Sequence, residues 1–197
     1  MKKLFTITIA VFLIAATGCQ DQNSLVQPDQ QQTPEISFYS NSNSAQAANA
    51  TSGNLIVRHF IRNIKVDGKV GGNVKFKFFV EDGRQLEGIL KIDAGAFPGT
   101  KVFDAIFDLE TLTIELTPHG NFKIPAHLDL RYMGYDLKTY FPSLNNSPKK
   151  DPVFYYFDDS GDLEEMPYAN VNYNFGTNVI FFKDMRLPHF SRFGFIR

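Results

Sequence analysis

The chain has 197 residues and a formal net charge of −1, from 20 Lys and Arg against 21 Asp and Glu. Its length fits one folded domain, and the charge balance lacks the basic footprint of a nucleic-acid-binding protein. A single Cys excludes a disulfide framework and a multi-Cys zinc site, while 20 Phe, 8 Tyr and no Trp favour strands over helices.

Residues 1–18 read as a lipoprotein signal peptide. Lys2 and Lys3 supply the positive start, and Leu4–Ala16 is an apolar run of 13 residues, short for a membrane span. Ala16-Thr17-Gly18-Cys19 resembles the bacterial lipobox, whose Cys is diacylated on sulfur, freed by cleavage, and acylated on its new amine. The competing reading is an ordinary secretory peptide with a chance Cys. Each buried CH₂ contributes about 0.8 kcal/mol, and two acyl chains already anchor stably, so a triacylated Cys19 would hold the mature chain on membrane lipid. In the sorting rule of some Gram-negative bacteria, Asp directly after the Cys retains a lipoprotein at the inner membrane. Gln20 holds that place here, which favours the outer membrane.

Residues 19–53 comprise this Cys and a flexible tether. Positions 20–53 hold seven Gln, four Asn and six Ser and neither Lys nor Arg. Such composition buries too little apolar area to offset the entropy of ordering. A flexible coil of this length spans about 30 Å end to end. Ile36-Ser37-Phe38-Tyr39 is the exception, a short segment able to dock as a strand.

Residues 54–197 read as one all-β domain with 18 basic and 18 acidic side chains. Val74, Phe76, Phe78 and Val80 alternate with Lys75, Lys77 and Phe79. Leu112, Ile114 and Leu116 alternate with Thr and Glu, and Ala126, Leu128, Leu130 and Tyr132 with His127, Asp129 and Arg131. Each set places one face on a core and one toward water. Turns are expected at Asp67-Gly68, Gly71-Gly72, Asp82-Gly83, Pro98-Gly99, Pro118–Asn121 and Ser160-Gly161, and no window carries a sustained helical period. Short strands with frequent turns predict a β-sandwich or barrel. The Pro-rich stretch 142–152 is expected to join two β-subassemblies.

Leu90–Thr100, with Ala94-Gly95-Ala96-Phe97 at its centre, resembles the "hydrophobic-x-Ile-Pro-Ala-Gly-Ala-Phe" segment of bacterial ZU-type domains, named for zonula occludens and netrin-receptor proteins. Asp93 departs from it, standing where Pro is usual. The strand 112–116, the turn at Pro118-His119-Gly120 and the strand Ile124–Leu128 follow that family's order. Tyr155–Met166 is similar to its tyrosine-rich hairpin, and His189-Phe190-Ser191-Arg192-Phe193 to its terminal strand. The resemblance covers about 55–197. It implies a β-sandwich used for interaction or mechanical display.

Several groups of residues have the composition of a site. His127, Asp129 and Arg131 share one strand face; a His beside a carboxylate has acid–base character, but the polar side of an alternating strand is equally a solvated face with an Asp–Arg pair. Asp158, Asp159 and Asp162 make a weak calcium candidate, although the EF-hand pattern fails at Ser160 and Leu163, and a plain hairpin turn at Gly161 competes. Lys75 and Lys77 are able to face anionic envelope polymers. The four His share no zinc-ligand spacing, and no cofactor is expected. Some ZU-type domains cleave themselves between Phe and Ser, and others keep that bond. Were this chain to do so, the Ser191 hydroxyl would attack the Phe190 carbonyl as His189 takes its proton. The Phe190–Ser191 C–N bond would break with that proton passing to the freed Ser191 amine, and water would open the resulting ester.

The resulting expectation is a membrane-anchored envelope lipoprotein, a non-enzymatic interaction or structural module with an envelope protein or polysaccharide partner. The alternatives are a self-cleaving ZU-type domain and a carbohydrate-binding β-sandwich. Exposed aromatics on a strand face would favour the latter.

Overall fold

The computed structural model describes residues 34–40, 58–80, 82–146, 148–158 and 160–196. The signal segment, Cys19 and most of the tether lie outside the described residues. Among the described residues ten strands run in chain order: β1 (Glu35–Ser40), β2 (Arg58–Asp67), β3 (Gly72–Phe79), β4 (Gln85–Ile92), β5 (Thr100–Asp108), β6 (Thr113–Met133), β7 (Phe154–Phe157), β8 (Leu163–Met166), β9 (Asn170–Asn174) and β10 (Val179–Phe195). Among the described residues helix is limited to α1 (Leu137–Tyr140), capped by the Asp136 carboxylate on the Lys138 amide, and a 3-10 turn at Pro142–Asn145. The chain is therefore all-β. Among the described residues no helix is long and apolar enough to cross a membrane.

The strands form one mixed sheet, ordered β1-β3-β4-β6-β10-β7-β8, with β5 joining β2 to β6 and β9 on β10. All pairs are antiparallel except β1 on β3, which is parallel. The segment 36–39, singled out within the tether, thus lies on the sheet edge in β1. Lys75 Nζ meets Glu35 Oε2 there at 2.7 Å.

The long strands β6 and β10 explain how one sheet encloses a core. Phe182 and Phe195 are 13 residues apart on β10, about 43 Å along a straight strand, yet their ring centroids are 4.4 Å apart. The strand bends back on itself at three irregularities in its pairing with β6, between 182 and 185, 187 and 189, and 190 and 192. Asp184, with φ 58°, sits in the first. Opposite halves of the sheet consequently face each other. Phe76 on β3 meets Phe107 on β5 at 4.5 Å, and Phe78 stacks on His59 of β2 at 4.7 Å. Phe190 packs against Phe122 at 4.0 Å, Phe103 at 5.0 Å and Phe97 at 5.9 Å. Offset and edge-on aromatic pairs of this kind add about 0.5–1.5 kcal/mol each beyond their buried area.

One local expectation changes. The turn expected at 118–121 lies inside β6, because Gly120 and Asn121 pair with Phe190 and His189. Near the end of the chain Phe190, Phe193 and Phe195 are buried, and Ile196 is half-exposed.

Candidate functional site

A concave surface lies on the outer face of β3, β4, β6, β10 and β9. Register places Lys77 beside Glu87, Glu87 beside Arg131, Arg131 beside Phe181, and Phe181 beside Asn172. These five residues form one row across five strands. Lys75, Ile89 and Asp129 make the row on one side, while Phe79, Gln85, Met133, Val179 and Asn174 make the row on the other. The intervening residues Phe76, Phe78, Leu86, Leu128, Leu130, Ile180 and Phe182 point inward and are buried. Strand alternation therefore forces the outer rows toward water. They border an open groove of about 710 Å³ with Lys75, Ile89, Arg131, Asn172, Val179 and Phe181 in its lining.

Gly88 lies beneath the groove between Glu87 and Ile89. A Cβ there would come within 2.5 Å of the Asp129 carbonyl oxygen and 2.6 Å of the Phe76 ring. The close approach of β4 to its neighbours needs a residue without a side chain.

The charged groups of the groove are already matched. Glu87 takes a hydrogen bond from Arg131 Nη1 at 3.2 Å and faces Lys77 Nζ at 3.4 Å. Lys77 also lies over the Phe79 ring, 5.1 Å from its centroid. Lys75 is held by Glu35, and Asp129 accepts from Lys91 Nζ at 2.5 Å and from the Asp184 amide at 2.8 Å. The Asp–Arg pair suggested by the alternation is thus not the one formed, since Arg131 turns to Glu87. Lys75 and Lys77 do share a face, as expected, but each is paired with a carboxylate.

Asp129 connects the groove to a second cluster at the β10 bulge. His127 Nδ1 hydrogen-bonds Asp184 Oδ1, and its Nε2 lies 3.6 Å from Asp93 Oδ2. Arg186 Nη2 is 3.7 Å from Asp184 Oδ2. The hydrogen bond from His127 holds the Asp184 carboxyl below the usual carboxylate range, reinforced by the positive charges of Arg186 and Lys91. The cluster consists of acids and bases, without a hydroxyl or thiol among these contacts. It ties the β4–β5 loop and the β10 bulge to β6.

The remaining candidates are spread over the sheet. Asp158 and Asp162 close the β7–β8 hairpin themselves. The Asp158 carboxylate accepts from the Asp162 amide at 2.7 Å and from Ser160 Oγ at 2.7 Å, and these bonds lower its pKa. Asp159 lies outside the described residues, and no metal-binding group of three or more His, Cys, Asp or Glu occurs among the described ones. Phe190 is a core residue and Ser191 is 4% exposed. The His189 ring packs near Tyr156 at 5.0 Å, with its Nδ1 buried and unpartnered. Residues 189–191 have no positive φ.

Sequence reasoning found Lys75, Lys77, Asp129 and Arg131 but passed over Glu87, Ile89, Phe181, Asn172 and Asn174. A signal existed in Val179-Ile180-Phe181-Phe182. That strand is apolar on both faces, so one face had to carry apolar side chains outward. Comparison of the chain with family models, with curated proteins and with solved structures gives no match.

Proposed function

We propose that this protein is a lipid-anchored module of the bacterial cell envelope, non-enzymatic, which holds an envelope component on the outer face of β3-β4-β6-β10-β9. The anchor rests on the lipobox-like Ala16-Thr17-Gly18-Cys19 and the Gln/Asn/Ser-rich tether, and Gln20 favours the outer membrane. The single observation that carries the binding role is the Lys77–Glu87–Arg131–Phe181–Asn172 row. It puts a large apolar ring among hydrogen-bonding side chains on a face the core does not use. The likeness of about 55–197 to ZU-type domains agrees with an interaction role.

Two arms test this reading in growing cells. Cys19→Ala should abolish incorporation of radiolabelled palmitate; label still entering that variant would remove the lipoprotein assignment. A photo-crosslinking amino acid at position 181 should give a discrete adduct. The same group at Leu163 of β8, 47% exposed and away from the groove, should not. Equal labelling at both positions would remove the outer face as the binding surface.

A further inference from the structure

We infer that the groove takes an uncharged polysaccharide chain, lying across the five strands with a sugar face on Phe181 and hydroxyls on the flanking side chains. This rests on the outer face being the binding surface and adds the chemical class of its occupant.

Charge is the first argument. Lys75, Lys77, Arg131, Glu87 and Asp129 each have an opposite partner within the sheet. An anionic polymer would have to compete with Glu87 for both Lys77 and Arg131, and a cationic one would have to displace both from Glu87. A neutral polyhydroxylated chain breaks no pair. It takes the remaining N–H donors of Lys and Arg and the free lone pairs of Glu87.

Shape is the second argument. The five strands are separated by four steps of about 4.8 Å, so the row spans about 19 Å, room for several sugar units end to end. A peptide adding to a sheet docks at an unpaired edge, where backbone groups are free. The groove instead lies mostly over β3, β4, β6 and β10, which are paired on both sides there, and only its β9 border has an edge. What it offers is side chains alone: an apolar strip of Ile89, Val179 and Phe181, bordered by the amides of Asn172 and Asn174. Sugars have the matching surface, with apolar C–H faces and hydroxyl edges that both donate and accept. At the groove border Asn172 Nδ2 donates to Asn170 Oδ1 and leaves its own Oδ1 to accept, while Asn174 Oδ1 is taken by the Gly176 and Thr177 amides and leaves its Nδ2 to donate.

The test measures binding of the purified full-length lipoprotein, kept in a non-ionic detergent, to biosensor surfaces. The surfaces carry dextran, hydroxyethylcellulose, laminarin or galactomannan, with alginate and polygalacturonate as anionic controls. At least one neutral polymer should bind saturably. Binding should persist at about 1 M salt, where the screening length is only about 3 Å. Phe181→Ala should raise its Kd about tenfold or more. Asn172→Ala, at an exposed position, should weaken binding in the same direction, with an unchanged melting temperature excluding unfolding as the cause. Binding to none of the neutral polymers would overturn the inference, as would binding confined to the anionic polymers and lost at high salt. A position-181 adduct on a polypeptide, together with no polysaccharide binding, would overturn the glycan and leave the binding face standing.

Discussion

Ile180 and Phe181 are chain neighbours with opposite surroundings. Ile180 is fully buried, and Phe181 faces the groove between Arg131 and Asn172. The same alternation sets the environment of His59, which is 2% exposed and stacked on Phe78 with its Nε2 unpartnered. Burial pushes its imidazole below the ordinary value of 6.5. Below about pH 6.5 the unfolded chain accepts a proton that folded His59 resists, so stability falls as pH drops through that value. Asp184 acts in a lower window. Its depressed carboxyl contributes stability above the unfolded value of about 3.9, and that contribution disappears as pH falls through the folded value. Urea unfolding at about pH 7.5 and pH 5 should therefore show wild type losing more stability on acidification than His59→Phe. Equal losses in the two proteins would assign the effect to other groups.

At the scale of elements, β10 organises the domain. It pairs with β6, β7 and β9, and its bend brings Phe182, Phe193 and Phe195 into one core. Phe190 lies between the β5 and β6 aromatics, so Phe190→Ala should cost about 3–5 kcal/mol. Ser191→Ala should change stability far less, with intact mass spectrometry giving one full-length mature polypeptide. A mature polypeptide ending at Phe190, absent from Ser191→Ala, would instead reveal self-cleavage.

Strand β3 and the two ends of β6 were legible because one face is apolar and the other polar, a period that a half-buried strand produces. The length of β6 and the bend of β10 were not. Pro118, His119 and Gly120 have the composition of a turn, and only the tertiary partners Phe190 and His189 draw Gly120 and Asn121 into the ladder. The groove was half legible. Its lysines, Asp129 and Arg131 lie on alternating strands, whereas Phe181 belongs to a strand without alternation and Asn172 is placed only by pairing with β10.

For the whole molecule, the groove and the proposed lipid anchor would address one problem. With β1 in the sheet, 15 residues separate Cys19 from it. A flexible coil of that length would reach about 21 Å, holding the domain near the membrane without aiming it; a second hold on the envelope would fix its orientation. Two linked attachments act with a raised effective concentration, and modest affinity at the groove then suffices. The most direct measurement removes the first hold and reads the second. A specific protease site placed ahead of β1, between residues 27 and 28, is cut in isolated envelope, and the fraction of domain released is measured. The expected result is that the wild-type domain stays with the envelope after cleavage and the Phe181→Ala domain is released. Complete release of both would contradict the account, because the lipid would then be the only attachment and the outer face would hold nothing.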